Sequence, residues 1–177
     1  VVIDLSDITR IQEMESQIRR KLSERGLQAK YTFDDILYRS RILEVTIETA
    51  KNYAASDANI IIVGETGTGK ELFAQSIHNS SRRKNGPFVA INCAALPENL
   101  LESELFGYVE GAFTGTAQGG KMGLFEQAHG GSLFLDAVEE VSSSIQSKLL
   151  RALQERQVRR IGDNKVIDID VRIISVS

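Results

Sequence analysis

The spacing of apolar and polar positions divides the chain into a helical opening and a longer stretch of alternating strands and helices. Ile8, Ile11, Ile18 and Leu22 recur at heptad-like intervals along a helix predicted from Asp7, a candidate N-cap, to about Arg25. Glu15 interrupts the stripe and Gly26 is placed to end the helix. So short a stripe fits equally an amphipathic helix packed on its own domain and a coiled-coil segment. From Phe33 onward the pattern changes. Ile42, Val45, Ile47 and Ala50 stand at helical spacing and predict a helix over residues 42–53, with further helices over 70–79 and 145–156. Residues 59–63, 87–91, 132–136 and 171–176 are apolar runs of strand length, the first read as a buried strand. Strands alternating with helices predict an α/β fold with a parallel sheet covered on both faces. Ligands in that architecture bind at the carboxyl ends of the strands.

Twelve of the 14 glycines and both prolines lie between Gly64 and Gly131, so loops and close backbone approaches are expected there. The other numbers mainly exclude. At 177 residues the chain has single-domain length, and 42% apolar with 25% charged residues is a globular composition. Lys and Arg number 21 against 24 Asp and Glu, a net charge of −3, which lacks the basic excess of a nucleic-acid-coating domain. One cysteine, Cys93, excludes an internal disulfide framework and a four-thiolate zinc site. No apolar run approaches the roughly 18 residues of a membrane span and the N-terminus lacks a signal pattern, so a cytoplasmic setting without membrane contact is expected.

The sharpest chemical signal is Gly64-Glu65-Thr66-Gly67-Thr68-Gly69-Lys70-Glu71, between a predicted strand and a predicted helix, the context a phosphate-binding loop requires. Glycines let successive N–H groups turn inward around phosphate oxygens, the helix adds the positive end of its dipole, and Lys70 supplies a charge for the β- and γ-phosphates. The general motif has Ser or Thr after the lysine to hold Mg²⁺, whereas this chain has Glu71. Thr66 and Thr68 are the alternative oxygen sources. The run 132–136 ends in Asp136, placing a carboxylate beside the phosphates to hold Mg²⁺ through water.

These residues resemble the bacterial enhancer-binding proteins, the AAA+ activators of sigma-54 RNA polymerase, which also carry Glu after the lysine. The segment from Glu102 to Thr116, reading ESELFGYVEGAFTGT, resembles their signature loop. Residues 88–96, 130–136 and 148–155 look similar too, and the likeness runs from about Tyr31 to the last residue. The resemblance implies a three-layer P-loop NTPase fold and ATP or ADP with Mg²⁺ as cofactors. It also implies that a ring, hexameric or heptameric in the full-length protein, drives the loop against sigma-54. Gly111, Ala112, Phe113, Thr114, Gly115 and Thr116 would form the contact, with Phe113 and Thr114 at its tip. One large aromatic among glycines suits a mobile apolar anchor. Ile36, in the segment 33–36, would border the adenine, although Tyr38 stands where glycine is common.

The family pairs an Asn in the second strand with a Glu after the strand-three Asp. Asn92 occupies the first position, and Ala137 replaces the glutamate that would polarise the attacking water. Nucleotide binding is therefore expected to survive while hydrolysis by Lys70, Asn92 and Asp136 is severely weakened. A non-hydrolysing nucleotide-binding regulatory module is the alternative. Glu139 and Glu140 follow, at a spacing expected to turn them elsewhere.

Residues 1–6 look like the last strand of a PAS sensory domain and 7–30 like a signalling helix and linker, leading into the AAA+ region at 31–177. By the same resemblance the chain stops before a helical lid, and DNA contact is expected only through a domain absent here. His78 and His129 share no metal-ligand spacing with Cys93 and read as structural. Arg82-Arg83-Lys84 reads as a solvated loop, and Arg151, Arg156, Arg159 and Arg160 as a charged exit from the last helix.

Overall fold

The computed structural model describes residues 14, 16–18, 20–113 and 118–177. The strand predicted at residues 1–6 and the first half of the following helix lie outside the described residues. Residues 20–24 are helical and the helix ends at Gly26 as predicted. Leu27 N–H donates to Leu22 O (2.8 Å) and Gly26 N–H to Ser23 O (3.0 Å), with Gly26 at φ +69°, the paired bonds of a Schellman cap. Of the stripe, Ile18 is exposed and does not pack on the domain, while Leu22 is half-buried.

Four parallel strands form the central sheet: β1 (Ile60–Ile62), β2 (Phe88–Asn92), β5 (Ser132–Asp136) and β8 (Arg172–Val176), in the order β1-β8-β5-β2. The hairpins β3 (Gly107–Tyr108)–β4 (Lys121–Met122) and β6 (Gln157–Val158)–β7 (Ile167–Asp168) lie outside it. Helices α1 (Arg41–Ala54), α2 (Lys70–Asn79), α3 (Glu98–Phe106), α4 (Leu124–Gln127) and α5 (Ser143–Glu155) complete the fold. Ser40 and Ser142 cap α1 and α5 by accepting the N–H of Leu43 and Ile145.

Side chains alternate along each strand, so the sheet feeds two cores. Phe88, Phe134, Ile174 and Val176 pack with Ile47, Ala54, Ala74 and Ile77 of α1 and α2. Val89, Leu133, Leu135 and Ile173 pack with Leu101, Leu105, Ile145 and Leu149 of α3 and α5. The result is the predicted three-layer α/β arrangement, and the phosphate-loop helix covers 70–79 as the sequence indicates.

Three expectations need correction. β1 is not buried throughout: Ile60 and Ile62 face the α1–α2 core, while Ile61 is 60% exposed and Val63 76%. β1 ladders only with β8, and the opposite face at Ile61 is left uncovered by the described residues. Arg83 is not solvated but only 14% exposed, clamped between Asp57 Oδ1 (3.1 Å) and Asp170 Oδ1 (2.8 Å). Of the stripe read along helix α1, Ile47 is buried and Ala50 half-buried, whereas Ile42 and Val45 are exposed and Ala54 is buried in their place.

His78 is structural, as expected. Its ring is buried, with Nδ1 2.9 Å from Ser132 Oγ and its edge against Phe88. Burial holds its pKa down to about 4, with Arg172 adding to the effect against a backbone hydrogen bond at Gly86 that raises it. The folded chain keeps the imidazole neutral where the unfolded chain protonates it, so this contribution is full above the ordinary histidine pKa and falls as pH drops toward 4. The loss should reach about 3 kcal/mol. Urea unfolding at pH 7.5 and 4.5 checks this, because His78→Asn should flatten the pH dependence. An identical dependence in both chains would contradict it.

Candidate nucleotide site and contact loop

The turn from β1 into α2 is made by backbone that glycine tolerates best. Gly67 (φ +82°) and Gly69 (φ +85°) both adopt left-handed conformations, and Gly69 sits at the N-cap of α2. Lys70 Nζ donates to Gly64 O (2.6 Å) and Glu65 O (3.1 Å), so the lysine lies back across the loop. Thr68 Oγ1 donates to Glu65 O (2.8 Å), which ties its hydroxyl to the loop backbone. Thr66, Gly67, Gly69, Lys70 and Glu71 line a cavity of about 510 Å³, with Asn92, Asp136, Ala137 and Glu139 opposite. The phosphate loop and the carboxyl ends of β2 and β5 thus share one cleft, at the strand ends where ligands enter such sheets.

β2 and β5 pair in register with Asn92 opposite Asp136, and Asn92 Nδ2 donates to Asp136 Oδ2 (3.0 Å). Asn92 therefore engages Asp136 itself where the sequence has no glutamate at 137. Ala137 is left-handed (φ 52°, ψ 50°), and the turn Val138–Glu140 begins there. That reversal corrects the expectation for Glu139, which lines the cavity rather than pointing elsewhere. Buried Cys93 packs beside it as a small apolar residue; burial, with the nearby Asp136 and Glu139 charges, pushes its thiol up to about 11. Ile36 packs toward the α1–α2 core and is not among the cavity's lining residues. An aspartate at the strand end and a cradle of left-handed glycines with a lysine fit a magnesium–nucleotide pair, whose hard cation takes oxygen ligands.

From Asn92 the chain runs through α3 into the base of the second predicted site. Helix α3 went unread, although Pro97 at its N-cap and Glu98 in its first turn are a start signal. β3 and β4 form the neck of the loop, closed by Glu110 Oε2 accepting Gly119 N–H (3.0 Å). The β6–β7 hairpin braces it: Val109 N–H donates to Ile161 O (3.1 Å) and Ile161 N–H to Gly107 O (2.9 Å). A Cβ on Gly162 would stand 2.9 Å from Ala112 Cβ, so only glycine allows this approach. Phe113 is 44% exposed, its ring 5.1 Å from that of Tyr108 in an edge contact. It is not tucked into the core. Thr114, Gly115 and Thr116 lie outside the described residues. Of the late arginines, Arg160 makes a two-pronged pair with Glu126 (2.7 Å at both nitrogens) and Arg151 pairs with Glu155 along α5.

Fold and cleft together define an α/β protein of the phosphate-loop NTPase class. Residues 36–177 match the family described as the Sigma-54 interaction domain, and the chain belongs to that family. It is 52% identical over 169 residues to the transcriptional activator RocR of Bacillus subtilis, covering 96% of this chain and 35% of RocR. It is 55% identical over 142 residues to the transcriptional regulatory protein GlrR of Escherichia coli, covering 80% and 32%. Among solved structures, NtrX from Brucella abortus in complex with ATP aligns with TM-score 0.74 and 33% identity, over 99% of this chain and 36% of that one. The chain thus spans about a third of the length of these relatives. Among the described residues no helix is long and apolar enough to cross a membrane.

Proposed function

We propose that this chain is the ATP-binding portion of a sigma-54-dependent transcription activator, in which nucleotide state drives residues 111–116 against sigma-54 to remodel the closed promoter complex. The observation that carries the reading is the convergence of the phosphate loop, Asn92 and Asp136 on one cleft, with Asn92 leading through α3 to the half-exposed Phe113. Gly64 to Glu71 would cradle the phosphates of ATP or ADP, with Lys70 leaving its loop carbonyls for the β- and γ-oxygens. Asp136 would hold Mg²⁺ through water, and the ion supplies charge neutralisation for phosphoryl transfer when bound. The full-length protein would act as a hexameric or heptameric ring in the cytoplasm.

A second reading, a nucleotide-binding regulatory module without hydrolysis, is favoured by Ala137 and by the Asn92–Asp136 bond it leaves in place. Titration with a fluorescent ATP analogue, followed by phosphate-release measurement, separates the two: binding with release supports the first, and binding without release supports the second. No binding defeats both. For the loop, Phe113→Ala should abolish sigma-54 binding while leaving ATP affinity unchanged, since the ring touches Tyr108 and solvent rather than the cleft. Unchanged sigma-54 binding in a pull-down would refute the contact role.

A further inference from the structure

Gln75 is buried in α2 and hydrogen-bonded at both ends of its amide. Its Oε1 accepts the N–H of Lys30 (2.7 Å) and of Tyr31 (3.3 Å), while its Nε2 donates to Glu71 Oε1 (3.0 Å) one helical turn back. The amide orientation is dictated by its neighbours, because two backbone donors need the oxygen and a carboxylate needs the nitrogen. Glu71 lines the nucleotide cleft next to Lys70. Lys30 and Tyr31 belong to the segment that follows the Gly26 helix stop. That segment is docked by Leu27 O, which accepts Phe88 N–H (2.8 Å), and by Asn79 Nδ2, which donates to Ala29 O (3.2 Å) and Tyr31 O (2.7 Å). One buried side chain therefore joins the linker to the residue directly after the phosphate-loop lysine.

We propose that Gln75 is a positioning residue that makes nucleotide affinity depend on whether residues 27–31 are docked on α2. With the linker in place, Gln75 is anchored and its amide nitrogen holds the Glu71 carboxylate back. When the linker leaves, Gln75 loses its anchor, and Glu71 is free to pair with Lys70 or to face the triphosphate as a like charge. Either outcome opposes nucleotide binding. A helix preceding residue 27 can thereby regulate the cleft without reaching it. The inference rests on the nucleotide-binding reading above.

The test uses the whole chain, a fluorescent ATP analogue, and hydrogen exchange at the Lys30 and Tyr31 amides. Gln75→Leu is expected to speed exchange at both amides and to weaken ATP about tenfold. Adding Glu71→Gln should restore the affinity, a recovery that general loss of structure does not give. Gln75→Glu keeps the acceptor for the linker but sets a like charge against Glu71, so exchange should stay slow while ATP binding weakens. Asn79→Ala, which loosens the linker at the far end of α2, should weaken ATP about threefold in the parent chain and not further in Gln75→Leu. The proposal is overturned if Gln75→Leu binds ATP like the parent, if Glu71→Gln restores nothing, or if Asn79→Ala acts equally in both backgrounds. An unaltered chain that binds no ATP would instead defeat the nucleotide reading, and the coupling with it.

Discussion

Ala137→Glu is expected to raise ATP turnover by about 10²–10⁴-fold, the usual contribution of a positioned carboxylate that orients or deprotonates water. Ala137 stands at the carboxyl end of β5, directly after Asp136, on the wall of the cleft. Its backbone is already left-handed, which costs a non-glycine residue about 1 kcal/mol whether the side chain is methyl or carboxylate. The substitution therefore adds a carboxylate without asking the backbone to move. It also offers Asn92 Nδ2 a second acceptor besides Asp136 Oδ2, the partner it now holds at 3.0 Å. ATP affinity should change far less than turnover, because the phosphate loop and Lys70 are untouched. Phosphate release at saturating ATP is the measurement, with parent and variant at equal concentration. A rate that stays at the parent level would show that the missing carboxylate is not what limits this chain.

Arg172→Met is expected to cost about 3 kcal/mol of stability, the largest loss foreseen for a single side chain here. Arg172 is 1% exposed and lies at the start of β8. Its guanidinium donates to Tyr53 O (2.8 Å), Ala54 O (3.1 Å) and Ala58 O (3.0 Å), capping the C-terminal end of α1 and the turn that leads to β1. A positive group against those carbonyls also opposes the negative end of the helix dipole. Methionine fills similar volume but removes the donors of Ala54 O and Ala58 O, while Tyr53 O keeps the N–H and hydroxyl of Ser56; each unsatisfied buried group costs about 1–3 kcal/mol. Lysine would rescue little, since its single ammonium cannot reach three carbonyls in a planar fork. Thermal unfolding should show a fall of roughly 10 °C in Tm for a domain of this size. A shift within a degree or two would mean that other donors take over the carbonyls.

Arg172 also shows where sequence reading stopped. A strand over 171–176 was evident from its apolar residues, and the structure places one at Arg172–Val176. Nothing in the run Val171-Arg-Ile-Ile-Ser-Val176 tells that its arginine is buried, because the acceptors are backbone carbonyls some 114–119 residues earlier. Arg83 is the same case, a surface-like charge whose partners Asp57 and Asp170 are remote in sequence. Glu139 was misplaced for a local reason: its offset from position 137 was expected to turn it elsewhere, but left-handed backbone at Ala137, rare for a non-glycine residue, brings it to the cavity wall. The strand–turn–helix context of the predicted phosphate loop, by contrast, was legible. It lies in consecutive residues between β1 and α2, where Gly67 and Gly69 supply the left-handed turn.

The sequence by itself determined the alternation of strands and helices, the phosphate loop at Gly64 to Glu71, the aspartate that ends β5, the Gly26 helix stop and the family to which these motifs belong. Each is a local property, set by side-chain periodicity, by glycine at a turn, or by a contiguous motif. Only the tertiary structure decided that Asn92 bonds Asp136, that Glu139 lines the cleft, that the β6–β7 hairpin braces the β3–β4 neck, and that Gln75 ties the linker to Glu71. These are meetings of residues far apart in the chain or redirected by a turn. Parallel strands require long crossovers, so the groups brought together at their ends have no short spacing by which a sequence could announce them.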